Sequence, residues 1–344
     1  MADTEQKTLA QSEKTERRHI IALEEHFATA SFMEGPGRQM IERAKANNTE
    51  EQTTVIVEIL CDIGAGRISA MDAAGVDMQA LMLSAPGTEQ LEPGDALTLA
   101  RDVNDRAAEA VRSNPERFIG LACLPTADPE KAAQELERTV SKFGFKGAVI
   151  NGHIRGRYLD DTFFWPILER AESLGVPIYI HPTPPPRVVI ETYYTGNLSS
   201  EVTDMLQRAA WGWHIETATH VIRLILSGAF DKYPDLQIMI GHTGEALPYM
   251  LQRVESYLPK KITKLDRPVG AYLRENLYYS FSGFNYIHCF LDLLLQIGID
   301  RIVFSTDYPH KTMEAAVAFL EQLPISPADK ERIAHENAER LLQI

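Results

Sequence analysis

A carboxylate and an imidazole, two residues apart, end the first strongly apolar segment of the chain. The segment is IIALEEHF, residues 20–27, and its apolar half is typical of a buried β-strand. Because side chains alternate along a strand, Glu24 and His26 should project to one side of it and Glu25 to the other. Imidazole nitrogens and carboxylate oxygens are common ligands of divalent metal ions. This strand is therefore expected to carry two metal ligands at its end.

Two further residues of the same chemical types follow later apolar segments. His181 ends the segment PIYIH, and Asp307 follows the segment RIVFST. Histidines and acids with separate structural roles have no reason to collect at strand ends, so their recurrence there favours a shared site. If Glu24 and His26 face the interior, His181 and Asp307 complete a site for one divalent ion. The mixed nitrogen and oxygen ligands suit Zn²⁺ or Mn²⁺, and the oxygen share favours manganese.

Other polar residues near predicted strand ends are candidates for catalysis or substrate binding. His242 and Glu245 follow the segment LQIMI, and His310 lies in the last predicted rim loop, where it is expected to contact a substrate. Arg155 and Arg157 lie in GHIRGRY, the loop after the segment KGAVI. A guanidinium in this loop can pair with a substrate carboxylate in a bidentate manner. The alternative for the loop is a turn whose charges face water.

Five other histidines are expected to have no role in a site. They lie in the N-terminal tail or on predicted helices, where surface exposure or helix packing explains them. These residues are His19, His214, His220, His288 and His335.

Eight apolar segments alternate with helix-like segments along the chain. One helix is well marked: Asp128 is a favoured N-cap residue, Pro129 suits the first helical position, and Gly144 suits the end. Strand and helix alternating eight times predict a (β/α)₈ TIM barrel, in which catalytic residues lie at the C-terminal strand ends. A doubly wound sheet is the alternative, although no GxGxxG motif follows any segment. The predicted strands span residues 20–26, 78–84, 117–123, 146–150, 177–181, 236–241, 277–281 and 301–306.

Charge and composition exclude several classes of protein. The 344 residues include 48 acidic and 34 basic side chains, and the formal charge of −14 argues against nucleic-acid binding. No apolar stretch approaches the ~20 residues of a membrane helix, and no secretory signal is expected. Three cysteines without CxxC spacing suggest thiols in a reducing cytoplasm. Residues 1–18 are predicted to be a disordered tail, and residues 19–344 a single barrel domain.

Longer motifs around these residues resemble a known family. ALEEHF, IHP, GHTGEALPYMLQR and FSTDYPH are similar to blocks of the metal-dependent decarboxylases of the amidohydrolase superfamily. The resemblance runs from about residue 20 to the C-terminus. It is strongest to the γ-resorcylate, 2,3-dihydroxybenzoate and 5-carboxyvanillate decarboxylases, which are related to aminocarboxymuconate semialdehyde decarboxylase. The resemblance implies a barrel of the amidohydrolase type, one divalent metal ion, a small aromatic acid as substrate, and a homodimer or homotetramer.

The resemblance also implies roles for individual residues. His242 and Glu245 of GHTGE match positions that support the metal ligands or contact the substrate. Arg253 of YMLQR matches an arginine that, in some members, reaches the substrate of a neighbouring subunit. His310 departs from the γ-resorcylate pattern, which has an aromatic residue there, and the loop 183–212 matches no member. The metal ligands implied by the matching motifs are Glu24, His26, His181 and Asp307.

The same superfamily contains hydrolases, so the choice of reaction depends on the site residues. Binuclear hydrolases use an HxH pair and commonly a carboxylated lysine, whereas this chain has Glu24-x-His26 and no lysine at a plausible bridging position. A single metal favours non-oxidative decarboxylation of an ortho-hydroxybenzoate, with Asp307 as proton donor and with His242 and Glu245 at the phenolate. Metal-dependent hydrolysis of a lactone, ester or amide is the alternative. A protein that only binds a metal and an aromatic ligand is disfavoured, because such a protein needs no proton donor.

Overall fold

Eight parallel barrel strands form the centre of the protein, and one of them is interrupted. The computed structural model describes residues 17–344, except for the side chain of Asn47. The predicted third strand is divided at Leu121, so the eight barrel strands comprise nine segments. Most are shorter than predicted, because flanking residues such as Leu236 are buried without belonging to a strand. The segments are β1 (Ile21–Phe27), β2 (Met78–Leu83), β3 (Phe118–Gly120), β4 (Ala122–Cys123), β5 (Ala148–Asn151), β6 (Ile178–His181), β7 (Ile238–Ile240), β8 (Leu277–Ser280) and β9 (Ile302–Val303).

Backbone hydrogen bonds close these segments into one barrel. The strands pair in parallel in the orders β1-β2-β3 and β4-β5-β6-β7-β8-β9. The Leu23 amide donates to the Phe304 carbonyl oxygen at 3.0 Å and joins the first strand to the segment after β9. The Leu121 amide donates to the Leu81 carbonyl oxygen at 3.0 Å and bridges the interruption. The predicted (β/α)₈ barrel is confirmed, and the doubly wound alternative, whose sheet has free edges, is wrong.

Helices connect consecutive strands and cover the barrel. The α-helices are α1 (Ala30–Glu34), α2 (Arg38–Asn47), α3 (Glu50–Cys61), α4 (Ala65–Ala74), α5 (Pro93–Ser113), α6 (Pro129–Phe143), α7 (Trp165–Leu174), α8 (Arg187–Tyr193), α9 (Ser200–Leu206), α10 (Gly212–Leu226), α11 (Ala229–Lys232), α12 (Leu247–Tyr257), α13 (Lys260–Thr263), α14 (Val269–Glu275), α15 (Ile287–Ile297), α16 (Met313–Gln322), α17 (Pro327–Glu331) and α18 (Asn337–Leu342). Short 3₁₀ segments are Thr162–Phe164, His242–Gly244 and Ile299–Arg301, and Arg332–Glu336 is π-helical.

The helix α6 shows how local sequence sets the helix ends. The Asp128 side chain accepts a hydrogen bond from the Lys131 amide at 3.1 Å, and Pro129 follows at the first helical position. Gly144 ends the helix with a φ of 73°, a left-handed conformation that glycine adopts without a steric penalty. Both ends agree with the sequence prediction.

Two apolar layers lie on the two faces of the strands. Residues such as Leu23 and Met239 fill the barrel interior, and a larger cluster packs the helices against the outer face. Leu341 and Leu342 of α18 belong to the inner cluster together with Ile21 at the start of β1. The C-terminal helix therefore closes the amino end of the barrel, and the carboxyl ends of the strands remain for a site.

The structure tests the predictions about the N-terminal tail and about membrane helices only for the residues that it describes. Residues 1–16 of the predicted tail lie outside the described residues. Within residues 17–344, Arg18 forms an ion pair with Glu321, with the Arg18 Nε atom 2.9 Å from the Glu321 Oε1 atom. None of the helices in this described range is long and apolar enough to cross a membrane.

Candidate active site and metal centre

The predicted metal ligands meet at the carboxyl end of the barrel. Glu24 and His26 belong to β1, His181 ends β6, and Asp307 follows β9. The Nε2 atom of His26 lies 3.8 Å from the Oε1 atom of Glu24 and 3.3 Å from the Oδ1 atom of Asp307. The Nε2 atom of His181 lies 3.5 Å from the same Glu24 oxygen. Two imidazoles and two carboxylates thus surround one small volume.

The hydrogen bonds of Glu24 leave one of its oxygens for a metal ion. The Oε2 atom accepts hydrogen bonds from the hydroxyl groups of Tyr179, Ser280 and Ser282. The Oε1 atom is buried without a hydrogen-bond partner among residues 17–344, and so are both ring nitrogens of His26. Buried polar atoms without partners are costly, and a cation placed between them would satisfy them. The donor set therefore fits a divalent metal ion.

The acids and imidazoles of this cluster set one another's protonation. Burial opposes ionisation of Glu24, but the surrounding histidines, chiefly His26, outweigh burial and lower the pKa of Glu24 to about 2. Burial also opposes a charge on His26, but Asp307 and Glu24 raise the pKa of that imidazole to about 9. Burial and the neighbouring His26 lower the pKa of His181 well below its ordinary value. A metal ion would therefore displace a proton from His26 when it binds.

Contacts from the first strand hold Asp307 in place. Its φ of 64° lies in the left-handed region, which residues with a Cβ seldom adopt. Its amide donates to the Glu24 carbonyl oxygen at 3.2 Å. The preceding residue, Thr306, donates from its amide to Glu25 Oε1 at 2.8 Å and from its hydroxyl to Glu25 Oε2 at 2.6 Å. Glu25, on the other side of the strand from Glu24, thus fixes the position of the fourth predicted ligand.

His242 and Glu245 lie on a strained turn after β7. Residues 242–246 all have positive φ values, between 51° and 93°. The left-handed conformation costs about 1–2 kcal/mol for each residue with a Cβ, so the surrounding structure must stabilise this turn. The Nδ1 atom of His242 is hydrogen-bonded to the Oε1 atom of Glu245 at 2.8 Å. Burial opposes a charge on His242, but Glu245 outweighs burial and raises the pKa of His242 to about 9.

His214, expected on the surface or in helix packing, lies in the site instead. From α10, its Nδ1 atom contacts the Oε2 atom of Glu245 at 2.6 Å, and its Nε2 atom contacts the Ala209 carbonyl oxygen at 3.0 Å. Its ring centroid lies 4.8 Å from that of His242 and 4.9 Å from that of Phe284. The sequence around it, AAWGWHIETA, is typical of an ordinary helix start. Only the folded chain brings this helix to the turn after β7.

The two arginines of the loop after β5 are placed differently from the prediction. The Arg155 guanidinium forms two hydrogen bonds to the Glu92 carboxylate, at 2.8 and 2.6 Å. The Arg157 guanidinium donates to Asp161 Oδ2 at 3.0 and 2.6 Å. Both arginine side chains are about half exposed, and both are absent from the described lining of the cavity beside the metal ligands. The alternative of a solvent-facing turn therefore describes this loop better than a substrate contact does.

The other predicted substrate residues divide between the cavity and the surface. His310 lines the cavity, with its ring centroid 5.0 Å from that of His26. Burial, followed by the neighbouring His26, lowers the pKa of His310 to about 4. Arg253 is exposed on α12, with its guanidinium 4.0 Å from the centroid of the Tyr257 ring.

A cavity of about 770 Å³ adjoins the metal ligands. His26, His181 and Asp307 lie on its wall, together with His214 and His242. The loop 183–212 and the helices α2 and α3 form other parts of the wall. This volume lies in the range of pockets that bury small organic ligands.

Comparison with known proteins establishes the family. A family model described as "Amidohydrolase" matches residues 30–344, most of the chain. The chain belongs to the amidohydrolase family. The "Gamma-resorcylate decarboxylase" of Polaromonas sp. (strain JS666 / ATCC BAA-500) is 37% identical to this family member over 338 residues, covering 94% of this chain and 98% of that protein.

Solved structures share the fold over nearly the whole of this amidohydrolase-family chain. One is a 5-carboxyvanillate decarboxylase from Novosphingobium aromaticivorans DSM 12444, complexed with manganese and 4-hydroxy-3-methoxy-5-nitrobenzoic acid. It has a TM-score of 0.87 and 34% identity, covering 95% of this chain and 96% of that chain. Another is a dihydroxybenzoic acid decarboxylase from Polaromonas sp. JS666 with bound manganese and 2-nitroresorcinol. It has a TM-score of 0.85 and 36% identity, covering 95% of this chain and 97% of that chain.

Proposed function

We propose that this protein is a metal-dependent decarboxylase that converts an ortho-hydroxybenzoate to the corresponding phenol and CO₂. The observation that carries the proposal is the place of Asp307, whose carboxylate contacts the buried ligand cluster and also lines the cavity. A proton donor at a metal site beside a cavity suits decarboxylation. The similar proteins named above are decarboxylases of hydroxylated aromatic acids, which supports the same reaction class here.

The ligand cluster is the proposed site of one Mn²⁺ or Zn²⁺ ion. When bound, the ion would supply Lewis-acid polarisation of the substrate carboxylate and of its ortho-oxygen. The two carboxylates and the manganese of the two solved relatives favour manganese. The residues that would hold the ion are Glu24, His26, His181 and Asp307.

Asp307 is the proposed proton donor to the substrate ring. Transfer of its carboxyl proton to the ring carbon that bears the carboxylate interrupts the aromatic system. The carbon–carbon bond then breaks, its electron pair returns to the ring, and CO₂ leaves. His242 and Glu245 would hold the phenolic oxygen, because the His242 Nδ1 atom is bonded to Glu245 and its Nε2 atom remains for a ligand in the cavity.

Cations on the cavity wall would attract an anionic substrate despite the formal charge of −14. Arg208 belongs to the loop 183–212 and is ion-paired with Asp204. Lys311 packs along Gly283, where an added Cβ would lie 2.6 Å from the lysine Cγ atom and 3.4 Å from Asp307 Oδ2. The lysine stem therefore lies close to the proposed proton donor. We assign substrate-anion binding to Arg208 and Lys311 rather than to the loop after β5.

A substrate panel tests the proposed reaction. The manganese-loaded protein is mixed with 2,6- and 2,3-dihydroxybenzoate, a methoxylated hydroxybenzoate and unsubstituted benzoate, and CO₂ release is measured. We expect CO₂ from at least one ortho-hydroxylated acid and none from benzoate, which lacks the second oxygen and the electron-donating group. Hydrolysis of an aryl ester or lactone without any CO₂ release would instead establish the hydrolase alternative. Comparable CO₂ release from benzoate would refute the role of the ortho-hydroxyl group.

An exposed apolar surface on two neighbouring helices supports assembly of the chain into a homodimer or homotetramer. On α12, Tyr249 is 78% and Tyr257 61% exposed, and on the adjacent α15, Leu295 is 83% exposed. Apolar surface of this kind is typical of subunit interfaces. Arg253 lies on the same helix as the tyrosines, so it would lie at or near this proposed subunit contact. Light scattering after gel filtration measures the assembly, and a monomer at micromolar concentration would contradict it.

A further inference from the structure

His214 is hydrogen-bonded through both of its ring nitrogens. Its Nε2 atom lies 3.0 Å from the Ala209 carbonyl oxygen, which can only accept, so Nε2 carries a hydrogen. Its Nδ1 atom lies 2.6 Å from Glu245 Oε2, at hydrogen-bond distance. These two contacts fix the orientation of the His214 ring and hold Glu245 from α10.

Glu245 divides its two oxygens between two histidines. Its Oε2 atom contacts His214, and its Oε1 atom accepts from the Nδ1 atom of His242 at 2.8 Å. This second contact fixes the tautomer and the ring orientation of His242. The Nε2 atom of His242 is then the nitrogen available to a ligand in the cavity, which His242 lines.

The same geometry argues against a second metal ion at these three residues. His214, His242 and Glu245 have the right chemical types and lie close together. However, each oxygen of Glu245 already contacts a ring nitrogen at hydrogen-bond distance, and each of those nitrogens is an Nδ1 atom. The contacts satisfy the three side chains as a hydrogen-bonded chain, which leaves no common point for an ion.

We propose that His214 is a positioning residue, which holds the Glu245 carboxylate and, through Glu245, the ring of His242. This inference rests on the proposed decarboxylation. Glu245 belongs to the left-handed turn of residues 242–246, and its own φ is 55°. His214 reaches this turn from α10, so it supplies support from outside the strained segment.

Three substitutions test the position of the hydrogen-bond donor at residue 214. The amide nitrogen of His214→Asn takes the place of Nδ1 and can donate to Glu245, whereas that of His214→Gln takes the place of Nε2 and faces Ala209. His214→Leu removes both contacts. With manganese bound, we expect His214→Asn to keep kcat within about 3-fold of wild type, and the Gln and Leu variants to lose about 10- to 100-fold with little change in KM.

His335→Gln is the control, because the His335 imidazole contacts Glu331 and Glu339 on α17 and α18, and the kcat and KM of this variant should match wild type.

Proton NMR of the imidazole N–H groups tests the positioning without turnover. The hydrogen-bonded N–H signal of His242, assigned by its loss in His242→Ala, should persist in His214→Asn and weaken or vanish in the Gln and Leu variants. Unchanged kcat and an unchanged N–H signal in the Gln variant would overturn the proposal. If His214→Leu does not fold, the comparison of His214→Asn with His214→Gln still tests the positioning role. If wild type releases no CO₂ from any acid, the proposed function fails, while the NMR result still tests the positioning role.

Discussion

Gly241 is the position where one added methyl group should disturb the metal ligands most directly. It follows β7 with a φ of −88°, so alanine fits its backbone without strain. A Cβ at this position would lie 2.6 Å from Glu24 Oε2, 2.6 Å from Ser282 Oγ and 2.8 Å from the Tyr179 hydroxyl oxygen. Contacts this short require Glu24 or its partners to move. The substitution therefore acts on the hydrogen bonds that orient the first predicted ligand.

The size of the effect follows from those contacts. Overpacking of a buried site by one methyl group costs about 1–3 kcal/mol, and loss of a hydrogen bond to a charged group costs a similar amount. If half or more of this cost falls on the metal-bound form, the affinity for Mn²⁺ should fall by about 10- to 100-fold. Isothermal titration calorimetry of the metal-free protein with Mn²⁺ measures this affinity, and thermal unfolding with and without Mn²⁺ gives a second measurement.

Gly94→Ala is the matched control for Gly241→Ala. Gly94 lies in the first turn of α5, and a Cβ there would have no described heavy atom within 4 Å. Alanine is the better helix former, so the control should unfold at the same or a slightly higher temperature and bind Mn²⁺ as wild type does. If Gly241→Ala showed the same Mn²⁺ affinity and unfolding temperature as Gly94→Ala, the reasoning that Glu24 is held by this close packing would be refuted.

Three further substitutions test other parts of the site. His181→Ala should lose metal and activity together, measured by metal analysis and CO₂ release, and full metal occupancy at full rate would remove His181 from the site. At saturating Mn²⁺, Asp307→Asn should lower kcat by at least ~10²-fold while binding changes less, and loss of affinity alone would assign the proton donor elsewhere. Arg253→Ala should raise KM for an anionic substrate at unchanged metal content, and a fully active monomer would contradict its role across a subunit contact.

The fold was predictable because its signals are local in the sequence. Each barrel strand is an apolar run, and the helices between them carry recognisable ends such as Asp128 and Gly144. Parallel pairing then places all carboxyl ends on one side, so residues after different strands are brought together without knowledge of any contact. The interruption at Leu121 was not predictable, because FIGLAC, residues 118–123, carries no charged or polar side chain that would mark a break. The preceding Gly120 lies against the Phe145 ring, where a Cβ would approach to 2.4 Å, and only the structure shows this contact.

The roles of single polar residues were less predictable because they depend on distant partners. Arg155 has a residue type and a loop position that suit substrate binding. Its guanidinium nevertheless pairs with Glu92, 63 positions away in the sequence. His214 shows the opposite case, since its helix carries no sign of the turn that it contacts. A periodic pattern specifies which face of an element is buried, but it does not specify which of several acids will meet a given base.

The two sides of β1 contribute different residues to the site. One side presents Glu24 and His26 to the metal position, and the other presents Glu25 to Thr306, next to the ligand Asp307. These contacts lie where the first strand meets the segment after the last strand, so they also close the barrel. A metal ion held by ligands from both segments would join the same two parts of the chain. Its binding free energy would therefore add to the free energy of unfolding of the barrel, and the charged end of a hydrophobic strand would serve closure and chemistry together.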